Sequence, residues 1–355
     1  MSLSPPENDI EQALQVSIRE ATENAAPLRI VGGDTKAFYG HPVDAEALEL
    51  GAHSGVIDYD PSELVITLRA GSKLSDVEAL LAENRQMLGF EPPHFGKNAT
   101  VGGMVASGLS GPRRAYAGAI RDFILGVKII DGRGEVLNFG GRVIKNVAGF
   151  DVSRLMVGAL GTLGVILEVS LRLIPMVETE VTLGFEHASA DEHIGWINEL
   201  GSRPLPLSAS LWRQGHSLLR LSGSDQGVAS AVRQLGGDVE NDIWPQIREQ
   251  THEYFTGQNQ FTRIALPATC DDFLPTDQLI EWGGAQRWLR GKVELNELRQ
   301  TVESRDGMVC AYRGGGQSES VFHPLSAPML ALHRNLKASF DPAAILNPGR
   351  FYPEI

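Results

Sequence analysis

The run Val31-Gly32-Gly33-Asp34-Thr35-Lys36 collects residue types that suit one kind of chemistry. Adjacent glycines after a strand permit positive φ and can form a nest of backbone N–H groups. Thr35 adds a hydroxyl donor and Lys36 a cation, so the run could hold phosphate oxygens. An ordinary strand-ending turn explains the same residues equally simply. The spacing is neither that of a P-loop nor Gly-x-Gly-x-x-Gly. A second segment runs from Ala99 to Gly111, where eight of thirteen residues are Gly, Ala or Ser. Thr100-Val101-Gly102-Gly103, then Ser107-Gly108 and Gly111, would let the backbone approach a flat or phosphorylated ligand. A helix starting near Gly102 would also turn its positive end towards phosphate. The plain alternative is a small-residue helix packed tightly on a sheet. A third signal is Leu160-Gly-Thr-Leu-Gly-Val-Ile166, where Gly161 and Gly164 interrupt a strand and predict a bulge or a close ligand approach.

The elements that must position these residues are legible in outline. Ile10, Ala13, Leu14, Ile18 and Ala21 share one helical face. Leu28 to Val31 reads as a strand entering the first glycine turn, and Glu63 to Gly71 as a strand with Leu64, Ile66 and Leu68 in period two. Ser75 and Glu78 predict a capping box for the next helix. Val127–Ile130 and Glu135–Phe139 flank Asp131-Gly132-Arg133-Gly134, a hairpin signal. Arg121 and Asp122, between the second and third signals, read by themselves as a surface ion pair. An alternating strand then ends at Pro175. Short connections and an excess of strands argue for an α+β arrangement.

From Met176 the texture changes to helices (DEHIGWINEL, GVASAVRQLGG, WPQIREQTHEYF, ELNELRQTVES) alternating with strands. This predicts a sheet with helices on one face, built as two ferredoxin-like units. The expected division is 1–175, 176–325, and a 326–355 segment returning to the first part.

At 355 residues the chain exceeds one compact core. A formal net charge of −13 disfavours nucleic acid as partner. The acidic N-terminus, without an apolar leader, predicts a cytoplasmic chain, and no apolar run approaches a membrane span. Cys270 and Cys310 are the two cysteines. They could pair, although free thiols are expected in the cytosol, and two are too few for an iron–sulfur cluster. His323 and His333 lack metal-ligand spacing, so no metal is expected.

The segments PLRIVGGDTK, GFEPPHFGKNATVGGMVASGLSGPRRAYAGAIRDFILGVKIIDGRG, KNVAGFDVSRLMVGALGTLGVILEVSLRLIP and FDPAAILNPGRFY resemble the vanillyl-alcohol-oxidase type of FAD-linked oxidases. Within that family they are similar to the FAD-binding subunits of bacterial glycolate oxidases. The resemblance is dense over 27–175 and 321–355. It implies a two-part FAD-binding domain with a smaller α+β cap. It implies that Val31 to Lys36 (Gly32, Gly33, Asp34 and Thr35 between) hold the pyrophosphate. Pro92, Thr100, Val101, Gly102, Gly103, Ser107, Gly108 and Gly111 would wrap the flavin and its ribityl chain, and Arg121 and Asp122 would contact the cofactor. Gly161 would belong to the same set, with Gly164, Val165 and Ile166 along the adenosine end. Asp34 stands where many relatives carry a histidine linked to the flavin, so the FAD is expected to be non-covalent.

The implied activity is oxidation of glycolate to glyoxylate in a complex. A second flavin subunit and an iron–sulfur subunit would pass electrons towards the membrane quinone pool, any membrane contact running through these partners. Such chemistry needs a base and a cation for the carboxylate. The candidates are His94, Lys145 and Asn146, with Arg313 and Arg350 behind them. The bland readings are a turn histidine, a helix-entry pair and solvated arginines. The His-x-Gly-Asp-Gly-Asn motif of sister catalytic subunits does not occur here. A flavin relay or assembly subunit, and a stand-alone FAD oxidoreductase for another 2-hydroxy acid such as D-lactate, therefore remain open.

Overall fold

The computed structural model describes residues 7–141, 152–257, 259–275, 277–314 and 320–355. Helix α1 (Glu7–Glu23) buries Leu14, Ile18 and Ala21, while Ala13 is exposed, so the apolar stripe is narrower than its spacing suggested. Strands β1 (Leu28–Val31) and β2 (Glu46–Glu49) pair in parallel. Strands β3 (Val56–Asp60) and β4 (Val65–Arg69) begin a five-stranded antiparallel sheet. Val65 to Leu68 are all buried, so β4 is covered on both faces and its expected alternation is lost; the Thr67 hydroxyl is satisfied by Ser170 Oγ at 2.9 Å.

Helix α2 (Leu74–Glu83) is capped at Lys73 without a side-chain bond. Ser75 lies inside the first turn and bonds Asp76 Oδ1, so the expected capping box is absent. Glu78 instead faces the ring of His94. Beyond β5 (Gln86–Met87) come three short helices, α3 (Val101–Ser107), α4 (Arg114–Ala117) and α5 (Ile120–Phe123). The expected hairpin follows as β6 (Ile124–Ile130) and β7 (Val136–Gly140). Its turn is fastened by the buried Asp131 carboxylate, which accepts from the Arg133 and Glu135 amides at 2.9 Å each. Strand β8 (Val165–Arg172) completes the order β3-β4-β8-β6-β7, and β9 (Ile174–Pro175) pairs with β5. Gly161 and Gly164 precede β8 rather than interrupting it.

The second sheet has eight strands. Strand β10 (Thr179–Glu186), helix α6 (Ala190–Gly201), β11 (Leu207–Arg213), β12 (His216–Gly223), α7 (Asp225–Leu235) and β13 (Asp238–Glu240) form a βαββαβ unit in the order β13-β10-β12-β11. This is the ferredoxin-like arrangement. After the short α8 (Trp244–Arg248), a second unit follows: β14 (Phe261–Ala265), β15 (Gln278–Glu281), β16 (Gln286–Arg290), α9 (Leu295–Glu303) and β17 (Met308–Arg313). Its order, β15-β16-β14-β17, repeats the first, with a loop in place of the first crossover helix. The units join where Leu211 and Trp212 of β11 pair with Glu281 and Ile280 of β15. Helices α6, α7 and α9 cover one face of this sheet. The other face, with Leu211, Leu279, Trp288 and Tyr312, packs on Tyr39, Leu109, Leu160 and Tyr352 of the first half.

The chain returns through α10 (Ala327–Phe340). Buried Lys337 donates to the carbonyls of Thr162 (2.8 Å) and Leu346 (2.7 Å) and pairs with Asp341 at 2.8 Å. The Leu28 amide donates to Ile345 O and the Asn347 amide to Leu28 O, so the tail lies alongside β1. Among the described residues no helix is long and apolar enough to cross a membrane.

Candidate functional site

The turn leaving β1 holds Asp34 at φ +54°, and the amides of Gly33, Asp34, Thr35 and Lys36 donate to no other group among the described residues. Four consecutive uncommitted N–H groups make a concave donor surface for an anion. Lys36 is 9 % exposed, with Nζ 3.2 Å from His94 O. Burial lowers its pKa to about 8, partly opposed by the field of Glu249. Arg350, from the tail, donates to the carbonyls of Lys36 (3.3 Å) and Tyr39 (3.2 Å). Burial lowers its pKa as well, and the nearby Asp34 opposes that shift. Arg29 pairs with Asp34 at 3.2 Å.

The glycines divide into two classes. A Cβ on Gly33 would fall 1.5 Å from Asn98 O, one on Gly32 2.4 Å from Thr100 Oγ1, one on Gly102 2.8 Å from Ala70 Cβ, and one on Gly164 2.9 Å from Ile129 Cδ1. At those positions the chain itself is the close neighbour. Gly103 differs: its Cβ would meet only Thr100 Oγ1, at 3.2 Å, and the residue lines the cleft. The end of α3 also departs from expectation. Its first amides are committed, Val101 to Ser72 O, Gly102 to Ala70 O and Gly103 to Thr100 Oγ1. It therefore offers no free donors to a phosphate, and that role passes to the 33–36 turn.

Between these walls runs a half-open cleft of about 760 Å³, the solvent at its mouth included. Of the residues singled out in the sequence, Gly32, Gly33, Asp34, Thr35, Lys36, Thr100, Gly102, Gly103, Ser107, Gly161, Gly164 and Ile166 line it. Val31 lines a more open groove on the other side of the same turn. Val101, at the start of α3, and Val165 belong to the hydrophobic core; along β8, alternation turns Val165 away from the cleft that Gly164 and Ile166 line. Pro92 is buried outside the lining. Gly108 is the left-handed cap of α3 (φ +64°), and the Gly111 amide donates to Phe90 O. Neither lines the cleft. Arg121 and Asp122 are exposed; Asp122 accepts from the Ala119 amide at 2.9 Å and caps α5 rather than touching the cleft. His94 turns its ring to Glu78, Nε2 to Oε2 3.0 Å. Lys145 and Asn146 lie outside the described residues.

The structure adds Ile30, Ala106, Leu160 and Asn347 to the lining and moves Arg350 from the tail's surface into it. Asn347 Oδ1 accepts from the Ile30 amide at 2.8 Å while Nδ2 donates to Leu160 O at 2.7 Å. The Asn-Pro-Gly turn of the tail was the available signal for this. Cys270 and Cys310 are free.

Where the first half meets the second sheet, charges are arranged in a network. Glu91 pairs with Arg113 (3.1 Å) and Arg220 (2.8 Å), while Arg113 also contacts Glu180. Nearby, Glu281 is 4 % exposed and accepts only from neutral donors, Trp288 Nε1 at 2.6 Å and Gln286 Nε2 at 3.0 Å. Burial pushes its pKa up to about 7, the two hydrogen bonds opposing. The folded protein then holds a proton that the unfolded chain releases above the usual carboxylate range. Stability contributed at acidic pH is lost as pH rises towards 7, by about 3 kcal/mol if the shift is fully expressed. Glu281→Gln is therefore expected to raise Tm at pH 8 and leave it nearly unchanged at pH 5, as read by thermal unfolding across pH.

A family model described as an FAD binding domain matches residues 9–140. The glycolate oxidase subunit GlcE of Escherichia coli (strain K12) is 43% identical over 98% of this chain and 99% of its own. A D-lactate dehydrogenase of Archaeoglobus fulgidus is 25% identical over 94% of this chain and 87% of its own. Among solved structures, alkyldihydroxyacetonephosphate synthase superposes with a TM-score of 0.65 over 95% of this chain and 75% of that one, at 13% identity, a likeness of fold. The free amides of the 33–36 turn and the uncovered Gly103 fit an elongated dinucleotide with a pyrophosphate at its middle. The chain belongs to the GlcE family of FAD-binding oxidoreductases, of the vanillyl-alcohol-oxidase type.

Proposed function

We propose that residues 1–175 and 326–355 hold the FAD and that 176–325 form the cap. In this reading the pyrophosphate rests on the amides of Gly33 to Lys36, with Lys36 and Arg350 supplying positive charge. The ribityl chain passes Gly103, Ala106 and Ser107, and the adenosine end lies towards Gly164 and Ile166. A carboxylate at Asp34 cannot form a histidyl–flavin bond. Acid precipitation is therefore expected to release all of the flavin into the supernatant, and flavin left on the pellet would count against a dissociable cofactor.

We further infer that the chain is the FAD-binding subunit of a complex oxidising glycolate to glyoxylate. A second flavin subunit and an iron–sulfur subunit would carry the electrons onward to the quinone pool, any membrane contact running through them. The observation that carries this is the near full-length identity to GlcE. When bound, the flavin supplies the acceptor for a hydride equivalent. One feature of the cleft favours a relay role for the isolated chain. Among the described lining residues the titratable groups are Asp34, Lys36 and Arg350. Asp34 is paired with Arg29, so among the described lining residues no carboxylate stands without a partner. Anaerobic glycolate added to the purified chain tests the choice. Bleaching of its flavin supports catalysis by this chain, whereas bleaching only with the partner subunits present supports the relay.

A further inference from the structure

The run from Glu91 to Asn98 lies between the second half and the turn that lines the cleft. On the cleft side, Asn98 O sits 1.5 Å from where a Cβ on Gly33 would fall, and Thr35 Cγ2 lies 3.3 Å from the place of a Cβ on Gly96. His94 O accepts from Lys36 Nζ at 3.2 Å. On its other side the run is gripped by the second half at two points. Arg220 holds Glu91 at 2.8 Å. Glu249, the C-cap of α8, accepts through Oε2 from the amides of His94 (3.1 Å) and Phe95 (2.8 Å). Its Oε1 accepts from Arg248 Nε at 2.9 Å. Glu91 and Phe95 have φ of +46° and +54°, uncommon for such side chains and kept where the surroundings hold them. Pro92 and Pro93 between them stiffen the run further.

These contacts lead to Lys36. Its buried ammonium has two acceptors, His94 O and, at 3.5 Å, Thr35 Oγ1, and no carboxylate lies within ion-pair distance among the described residues. The charged groups around it come from several elements. Asp34, on the same turn, is paired with Arg29, and Arg350 of the tail donates to the Lys36 carbonyl. Glu78 of α2 faces the His94 ring, and Glu249 is joined by Arg248. Arg313 of β17 lies 5.9 Å from the Phe95 ring, which is itself 5.6 Å from Lys36 Nζ. A buried cation with only neutral partners is costly until an anion completes it. Burial works against its charge, and the field of Glu249 works for it.

We propose that Glu249 is a positioning residue for the cofactor: from the second half it fixes the His94 and Phe95 amides, and through His94 O it holds the Lys36 ammonium in the wall of the cleft. This rests on the reading that the 33–36 turn receives the FAD pyrophosphate. The second half then contributes to cofactor affinity through a residue that does not itself line the cleft.

The test is calorimetric titration of the flavin-free full chain with FAD at pH 6 and pH 8. The pyrophosphate diester keeps its charge across this range. Lys36 is charged below about 8, an anion favours that form, and without Glu249 the charge is lost at lower pH. Glu249→Gln should therefore weaken FAD binding roughly fivefold more at pH 8 than at pH 6. Glu249→Asp keeps the charge and should recover the pH-dependent part. In a Lys36→Met background, Glu249→Gln should cost little at either pH, whereas a pH effect from any other group would persist there. An equal loss at both pH values, unchanged in the Lys36→Met background, is what a loosened loop alone would give, and it overturns the proposal. So does unchanged affinity in a folded Glu249→Gln while Lys36→Met weakens binding, an outcome that leaves the pyrophosphate reading standing. Unchanged affinity in a folded Lys36→Met removes that reading and the proposal with it.

Discussion

Gly103→Leu is expected to yield a folded protein without flavin. The Cβ at this position meets only the Thr100 hydroxyl, at 3.2 Å, a tight contact with a side chain that a shift of a few tenths of an ångström relieves, and leucine is the better helix former by about 1 kcal/mol. The rest of the side chain enters the cleft beside Ala106 and Ser107, where the cofactor must pass. FAD affinity should fall by roughly a hundredfold or more, with Tm of the cofactor-free protein shifted by only a few degrees. Gly33→Ala provides the contrast. Its single methyl would overlap the Asn98 carbonyl at 1.5 Å, which is backbone and cannot swing aside. Displacing the 96–100 segment should cost several kcal/mol, and the fold and the cofactor should be lost together. Absorbance at the flavin bands and thermal unfolding of the two cofactor-free variants separate these outcomes.

Glu91→Gln is expected to have the largest effect outside the cleft. Its carboxylate, at φ +46°, accepts from the Arg113 amide and guanidinium and from Arg220, and these three side chains are nearly inaccessible. Arg113 belongs to the first half and Arg220 to β12, so Glu91 holds the 111–114 segment against the second sheet. Removing the anion leaves two buried guanidiniums sharing Glu180 alone. The cost of such an uncompensated charge is about 3–5 kcal/mol. Denaturant unfolding should show that loss, little relieved by salt because the pairs are desolvated. Adding Arg220→Met should recover part of it, since one orphaned charge then disappears.

What the sequence made legible was local. Gly32-Gly33 after β1, the Asp131 hairpin, and two strand–helix units beyond Met176 each announce themselves within a dozen residues. Distant pairings were hidden. Gly33 is a glycine because of Asn98 and Gly164 because of Ile129, and nothing near either residue names its neighbour. The donors at the start of α3 looked free, yet Ser72 and Ala70 consume them. Ser75 and Glu78 had capping-box spacing, but the helix begins at Leu74 and Glu78 serves His94 instead. Asn347 and Arg350 became lining residues only because Lys337 and Asp341 anchor the tail against the Gly161 turn. The resemblance to FAD-linked oxidases correctly identified the cofactor and family. Of the residues it implied, Val101 and Val165 lie in the hydrophobic core, Pro92 is buried outside the cleft, Gly108 and Asp122 serve helix ends, the Gly111 amide bonds Phe90 O, and Arg121 is exposed.

The most direct measurement is a titration of the flavin-free full chain with FAD, followed by its absorption spectrum and by heat released, in wild type and Gly103→Leu side by side. The account predicts saturable binding of a single FAD to the wild type and none to a variant that still unfolds cooperatively. A folded wild type that takes up no FAD, or a folded Gly103→Leu that takes it up as tightly, would contradict it.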